Sequence, residues 1–306
     1  MNKQSMSRRM FLGGVVAVGA ASIMPRRVYG AAGTKPDSNF GGVQIGAITY
    51  SYHGQPQGAE QVLGYLIENG LSSVELMSPT AENYAGMPAT NQKDKEAVKK
   101  LLEWRISVPM DKYQALRKMY EDAGVKINIV KFGDIGNASM PDEQIEYYFK
   151  VAKALGAKGI TRELSEDAAK RLGPLADKHQ IMIGFHNHTQ IKPTTYDGDM
   201  LSYGKYLGIN LDIGHYIAGT SESPMPMIEK HRDRILSLHL KDRKKNNGPN
   251  MPFGEGETPI IEVLQYMKKN KLTFNADIEL EYKVPQDSTS VKEVTKCVQY
   301  CKQALS

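Results

Sequence analysis

From Val43 onward the chain alternates between two periodicities. Short apolar or β-branched runs recur at Val43–Tyr50, Ser73–Met77, Val125–Val130, Gly159–Thr161, Ile181–Phe185, Ile209–Asp212, Ile235–Leu240 and Phe274–Glu281. Between them lie segments of helical period, such as Ala59–Asn69, Met110–Ala123, Asp142–Ala154, Asp167–Lys178, Pro259–Lys269 and Lys292–Leu305. The first set reads as strands and the second as amphipathic helices. Several helices run into glycine, as at Asn69-Gly70, Ala123-Gly124 and Leu155-Gly156, where a left-handed terminal residue is expected. Eight strands alternating with helices predict a parallel sheet closed on itself, a single (β/α)8 TIM barrel over residues 43–306. A doubly wound open sheet is the alternative, but no G-x-G-x-x-G follows the first strand. The longest irregular stretch, Asp242 to Thr258, follows the seventh strand. Such a loop either shapes an active site or is a solvated surface excursion.

The period of two along each strand also sorts the polar residues. In Ser237-Leu238-His239-Leu240-Lys241, the leucines share one face and His239 and Lys241 the other. In Asp277-Ile278-Glu279-Leu280-Glu281, the three acids share a face. The aliphatic residues must lie under the outer helices, so the acids and His239 face the barrel axis. The same parity turns Asp212 inward at the end of the sixth strand, with His215 just beyond it. His186 and His188 face inward at the end of the fifth, and Glu163 can do so at the end of the fourth. Five of the seven histidines (His53, His186, His188, His215 and His239) fall at strand ends, where barrel enzymes carry their chemistry. Taken singly, each could be a satisfied structural contact. Inward carboxylates facing one another repel unless a cation lies between them. Two or three carboxylates with one or two imidazoles suit one divalent ion, Mn²⁺, Co²⁺, Zn²⁺ or Fe²⁺, better than Ca²⁺. Tyr50, Tyr52, His53 and Glu75 lie at the first two strand ends, where substrate contact and plain packing both remain open.

The N-terminus changes the charge argument. Ser7-Arg8-Arg9-Met10-Phe11-Leu12 followed by an apolar stretch to Met24 reads as a twin-arginine export signal over residues 1–30, with a linker at 31–42. Small residues near Gly30 suit cleavage, and the apolar stretch is short for a membrane span. Residues 1–30 hold five of the 39 basic residues and none of the 34 acidic ones, so the remainder is formally neutral (39 − 5 = 34). That leaves no global electrostatic case for nucleic acid. The expectation is a periplasmic protein delivered by the Tat export machinery, with no stable membrane insertion after processing and oligomerisation left open. Cys297 and Cys301, four apart, read as one packed helix face rather than a redox or zinc motif.

Several of these strand ends resemble the xylose isomerase-like TIM barrel superfamily of sugar isomerases and epimerases. Leu211-Asp212-Ile213-Gly214-His215 is similar to its sixth-strand Asp-x-x-His, and His239-Leu240-Lys241-Asp242 to its seventh-strand His-x-Lys-Asp. Ile278-Glu279-Leu280-Glu281 resembles its eighth-strand glutamate, and Phe253-Gly254-Glu255-Gly256-Glu257 its glycine-rich loop. One position departs: where ordinary epimerases of the group carry a fifth-strand glutamate, this chain has Phe185-His186-Asn187-His188. That pattern resembles the inosose (keto-inositol) dehydratase branch, with Arg162-Glu163-Leu164-Ser165 supplying a fourth-strand glutamate. The resemblance implies Glu163, Asp212, His239 and Glu279 as metal ligands. It implies His186, His215, Lys241 and Glu281 as catalytic candidates, with His188 and His53 towards the substrate.

The implied chemistry is removal of a proton beside the carbonyl of a keto-sugar or keto-glycoside, followed by loss or gain of water at the β-carbon. A sugar isomerase or epimerase is the alternative outcome of the same first step. A non-catalytic periplasmic sugar-binding barrel is the second alternative. Lys241, Arg243, Lys244 and Lys245 could hold an anionic group or form a solvated basic loop. A metal-dependent DNA-repair nuclease on the same barrel is opposed by the neutral charge and by a single apparent metal set.

Overall fold

The computed structural model describes residues 35–91 and 93–306. The export signal expected at 1–30 and residues 31–34 of the linker lie outside the described residues. Eight parallel strands form the barrel: β1 (Val43–Ile48), β2 (Ser73–Met77), β3 (Lys126–Lys131), β4 (Gly159–Glu163), β5 (Met182–His186), β6 (Leu207–Asp212), β7 (Ile235–Leu240) and β8 (Asn275–Ile278). Each pairs with its neighbour, and β8 closes on β1 through Ala276–Ile45, Asp277–Gly46 and Ile278–Ala47. A two-residue strand, Asn39–Phe40, adds antiparallel to β1. The barrel expected from the alternating periodicities is the fold observed.

The helices are α1 (Ala59–Glu68), α2 (Ser78–Tyr84), α3 (Lys95–Ser107), α4 (Asp111–Asp122), α5 (Asp142–Leu155), α6 (Glu166–His179), α7 (Ile213–Thr220), α8 (Met225–His231), α9 (Ile260–Asn270) and α10 (Ser290–Ala304). The amphipathic ones bury a stripe of Leu, Ile, Val and Tyr between themselves and the outward faces of the strands. Cys297 and Cys301 lie on that stripe of α10 as buried free thiols, the packing role expected for them. Among the described residues no helix is long and apolar enough to cross a membrane. Between β5 and β6 the chain makes turns and a short 3-10 helix, Asp199–Tyr203, in place of an α-helix.

The inside of the barrel carries many buried polar residues, and the registers explain how they meet. Asp212 pairs with His239 across β6 and β7, His239 with Asp277 across β7 and β8, and Glu163 with His186 across β4 and β5. Parallel pairing places such neighbours side by side on one face of the sheet. The β6–β7 register slips between Ile209 and Asn210, which restores this alignment and turns Leu236 inward. Leu236 then closes the lower barrel against Gly159, where a Cβ would stand 2.5 Å from a leucine methyl.

Helix α3 has no buried residue, so no apolar stripe announces it in the sequence. Trp104 packs against the core from this helix, and an ion pair fastens it further. Arg105 grips the buried Glu82 of α2 with Nε and Nη2 at 2.8 and 3.1 Å, and the Tyr147 hydroxyl of α5 also donates to Glu82. Arg105→Ala would leave that carboxylate buried without a cation. We expect a loss of about 3 kcal/mol, read as a lower urea midpoint. The single tryptophan, Trp104, sits edge-on to Tyr147 at 6.3 Å and should report the loosening in its emission. An unchanged midpoint would show that α3 is held by something else.

Candidate metal centre

The C-terminal ends of β5, β6, β7 and β8 bring four ligand-bearing side chains together. One ligand atom from each of His186, Asp212, His239 and Glu279 lies within 4.8 Å of all the others, and all four residues are buried. Asp212, His239 and Glu279 were expected in this role. His186, assigned by resemblance to catalysis, joins them. Glu163 is placed elsewhere: its oxygens meet Lys131 and the Nε2 of His188, each at 3.0 Å, near the barrel rim. Burial works against the Glu163 carboxylate, but His188 and Lys131 hold its pKa down at about 2. In return Glu163 raises the pKa of His188.

Each candidate ligand is oriented by a partner behind it. The Nδ1 of His186 lies 2.7 Å from the Asn210 amide oxygen, whose NH₂ donates to Ser237. With Nδ1 donating to Asn210, Nε2 keeps a lone pair, and burial together with Lys131 pushes the ring's pKa well below its usual value. His239 is fully buried, with Nε2 at 2.9 Å from Glu75 and Nδ1 at 3.0 Å from Glu279. Burial alone would lower its pKa, but Glu75 and Glu279 overcome that and raise it to about 10. Glu75 is itself fixed by the Thr161 hydroxyl. A carboxylate behind a histidine is the usual support of a metal-bound imidazole.

Asp212 caps the N-terminus of α7 by accepting the His215 amide at 2.6 Å, and Asn187 clasps its backbone from both sides at 3.0 and 3.1 Å. Its other oxygen, Oδ2, is buried; it lies 3.0 Å from the Lys241 ammonium, but at an angle that makes an ion pair without a hydrogen bond. Lys241 stands among Asp212, Glu279 at 2.9 Å and Glu281 at 2.8 Å. Burial opposes its charge, yet these three carboxylates raise its pKa. Glu279, equally buried, is held far below the usual carboxylate range by Lys241 and His239. Gly214 permits this arrangement, because a Cβ there would stand 2.5 Å from the Lys241 carbonyl.

The donor set fits a divalent ion. It offers two imidazoles and two carboxylates, one of them presenting the buried Asp212 oxygen that lacks a hydrogen bond, with outer partners on both histidines. The nitrogens of His186, His188 and His215 also lie within 4.8 Å of one another. That second group suits a cation poorly. His188 is bound to Glu163, while the two nitrogens of His215 face the cations Lys241 at 2.9 Å and Arg243 at 2.7 Å.

Several contributors escaped the sequence reading. Lys131 ends β3, one residue past the expected strand, and Asn210 shares the inward parity of Asp212, which was the available signal. His53 sits beside Tyr50 in the 3-10 turn after β1 and is not in the ligand set. Tyr52 is packed, with its hydroxyl donating to Asn69.

The long loop after β7 is ordered by Asp242. Its carboxylate accepts the amides of Gly254, Gly256 and Thr258 at 2.8, 3.0 and 3.1 Å. The loop folds back as a short antiparallel ladder, Arg243 with Asn250 and Asp242 with Met251. Arg243 thereby reaches His215, and Asn250 lies against Glu281. Asp242→Ala should free the loop locally at a cost of about 2 kcal/mol, since bonds to a charged acceptor are the stronger kind. Limited proteolysis between residues 243 and 258 should then run roughly 30-fold faster, with Tm lowered by a few degrees. Equal cleavage rates would refute the clamp.

Three comparisons with known proteins bear on this site. No protein-family model matches the chain. A stretch of 95 residues is 33% identical to an uncharacterized protein of Methanocaldococcus jannaschii, and the match spans 30% of this chain and 31% of that relative's length. Among solved structures, a probable 3-DHS dehydratase from Bacillus anthracis superposes with a TM-score of 0.62 at 14% identity, covering 84% of this chain and 98% of that one. A D-psicose 3-epimerase from Clostridium cellulolyticum gives 0.61 at 11% identity, covering 86% and 100%. A sugar phosphate isomerase/epimerase from Parabacteroides distasonis gives 0.58 at 18%, covering 89% and 97%. At such identities the likeness is one of fold, and the chain has the fold of the xylose isomerase-like TIM barrels.

Proposed function

We propose that the protein is a divalent-metal-dependent hydro-lyase acting on a keto-sugar or keto-glycoside, exported to the periplasm. The observation that carries this reading is the Lys241–Glu281 pair, 2.8 Å apart beside the ligand set of His186, Asp212, His239 and Glu279. A cation in that set supplies positive charge beside a carbonyl, which makes the neighbouring C–H more acidic.

The chain's own groups then account for the proton traffic. Glu281 is partly exposed and lies 2.8 Å from the Lys241 ammonium, so it can take the proton from the α-carbon. Lys241 can give a proton to the departing β-hydroxyl, which leaves as water while the C=C bond forms. The high pKa of the ammonium at rest comes from three carboxylates. Protonation of Glu281 removes one of them, and a cation held by Asp212 and Glu279 would weaken the other two. The ammonium thus becomes a better acid at the moment it is needed. Transfer of the proton from Glu281 to Lys241 over 2.8 Å resets the pair. Hydration is the same path reversed. An acid and a base adjacent on one side of the ligand set favour elimination over epimerisation, which needs groups on both faces of the carbon.

The test is an NMR time course in D₂O on metal-loaded protein with a panel of keto-sugars and keto-glycosides. The reading expects loss or gain of water at the β-carbon. Deuterium beside the carbonyl with every C–O bond intact would replace it with an isomerase or epimerase. No turnover of any substrate that demonstrably binds would replace it with a binding protein.

A further inference from the structure

Two lysines stand at the C-terminal mouth of the barrel, and only one of them is fully engaged. Lys241, just past β7, has three carboxylates within 3.0 Å. Lys131, the last residue of β3, has one, Glu163 Oε1 at 3.0 Å, although its side chain is only 12% exposed. An ammonium carries three N–H donors, so two of those on Lys131 meet no partner among the described residues. Glu163 is 41% exposed, and each of its oxygens has one close partner, Lys131 on Oε1 and His188 Nε2 on Oε2. Each oxygen therefore keeps room to accept another hydrogen bond. The closed strand order puts β3 and β4 across the axis from β7 and β8, so this pair lies across the mouth from Lys241 and Glu281. Glu163 is also the register neighbour of His186, which sets the pair beside the ligand set. Gly133 keeps the approach free of a side chain: a Cβ there would stand 3.9 Å from both Glu163 Oε1 and Lys131 Cε.

We propose that Lys131 and Glu163 form a sugar subsite that selects a neutral glycosyl ring over an acidic one, the ammonium donating to one ring hydroxyl and the carboxylate accepting from its neighbour. The proposal rests on the proposed function only in letting the ligand set take the carbonyl end of the same substrate. Every hydroxyl is both a donor and an acceptor, so a charged donor and a charged acceptor 3.0 Å apart match two adjacent hydroxyls. The idle N–H bonds of a nearly buried ammonium are the unmet requirement that such a ligand satisfies. The two charges cancel, which leaves no net charge for a carboxylate to answer. A sugar acid would instead set its own carboxylate against Glu163, where like charges repel. A ring lacking the hydroxyl would leave the Lys131 donors idle again, and a site built around a hydrogen bond discriminates strongly against such an analogue.

The test is saturation-transfer NMR on full-length, Zn²⁺-loaded protein, with methyl glucoside and methyl glucuronide as probes. We expect the wild type to bind the glucoside about tenfold more tightly than the glucuronide. Lys131→Met should weaken the glucoside about 10- to 100-fold, the scale of a lost hydrogen bond from a charged donor. Glu163→Gln removes the repulsion and keeps an acceptor, so it should bind the glucuronide about tenfold more tightly than the wild type does. Damage to the fold would not raise affinity for one probe alone. Gly133→Leu should weaken both probes with the two charges intact. With a competent substrate, the loss in Lys131→Met should fall on KM more than on kcat, as expected for uniform binding. A glucoside affinity unchanged in Lys131→Met, a wild-type preference for the glucuronide, or no binding of the glucoside would each overturn the proposal. Binding needs no turnover, so these outcomes are separate from whether water is lost or gained at the β-carbon.

Discussion

Lys241→Met is expected to destabilise the metal-free protein by about 3 to 5 kcal/mol, and to do so more severely at higher pH. Methionine keeps most of the buried stem and deletes only the charge. Asp212, Glu279 and Glu281, now within 3.0 Å of the ammonium, would be left to repel one another in a buried site. Such groups respond by binding protons, so their folded pKa values would rise above the unfolded carboxylate range near 4. A raised folded pKa gives stability that is present at low pH and lost as pH rises through it. The deficit against wild type should therefore be small near pH 4 and large at neutral pH. Urea midpoints on chelated protein at several pH values measure it. A saturating divalent ion should restore much of the loss, because it supplies the missing positive charge to Asp212 and Glu279 and binds only the folded state. Activity should not return with it: removing a general acid costs roughly 10²- to 10⁴-fold. Equal destabilisation with and without the ion would mean that Lys241 and the ion do not share counter-charges, and the ligand set would have to be reassigned.

The parts of this site that were legible in the sequence are those governed by a single strand. Alternation in Ser237–Lys241 placed His239 and Lys241 on the axis, and Asp212 with His215 followed from one strand end running into α7. What a lone sequence does not carry is register between strands. His186 comes within reach of Asp212, His239 and Glu279 with its far nitrogen held by Asn210 on the adjoining strand, whereas Glu163 pairs with Lys131 from the other side. Glu75 backs His239 from the opposite part of the barrel, a pairing that no local pattern encodes. Helix α3 was missed for a different reason. Its position depends on the Arg105–Glu82 pair, and a helix without a buried stripe has no hydrophobic period to read.

The second large effect concerns the proton that His239 carries in the absence of metal. Burial disfavours the imidazolium, but Glu75 on one nitrogen and Glu279 on the other hold its pKa at about 10. Since the ordinary value is about 6.5, the charged ring contributes its full stability below that pH, and the contribution fades as pH rises through about 10. Metal ligation demands the opposite state, because a histidine coordinates through a lone pair. Loading an ion must therefore expel a proton throughout the neutral range. The apparent Kd for Mn²⁺ should fall about tenfold per pH unit, or ~10²-fold between about pH 6 and pH 8. Calorimetric titrations in two buffers of different ionisation enthalpy should register about one proton released per ion bound. Glu75→Gln removes the larger of the two anionic partners from the ring, so it should flatten this slope. It should also weaken binding at high pH by about 10- to 100-fold, through loss of the group that orients the imidazole. A Kd independent of pH over that interval would show that His239 does not ligate the ion, leaving Glu75, His239 and Glu279 as a structural ion triad beneath a different metal site.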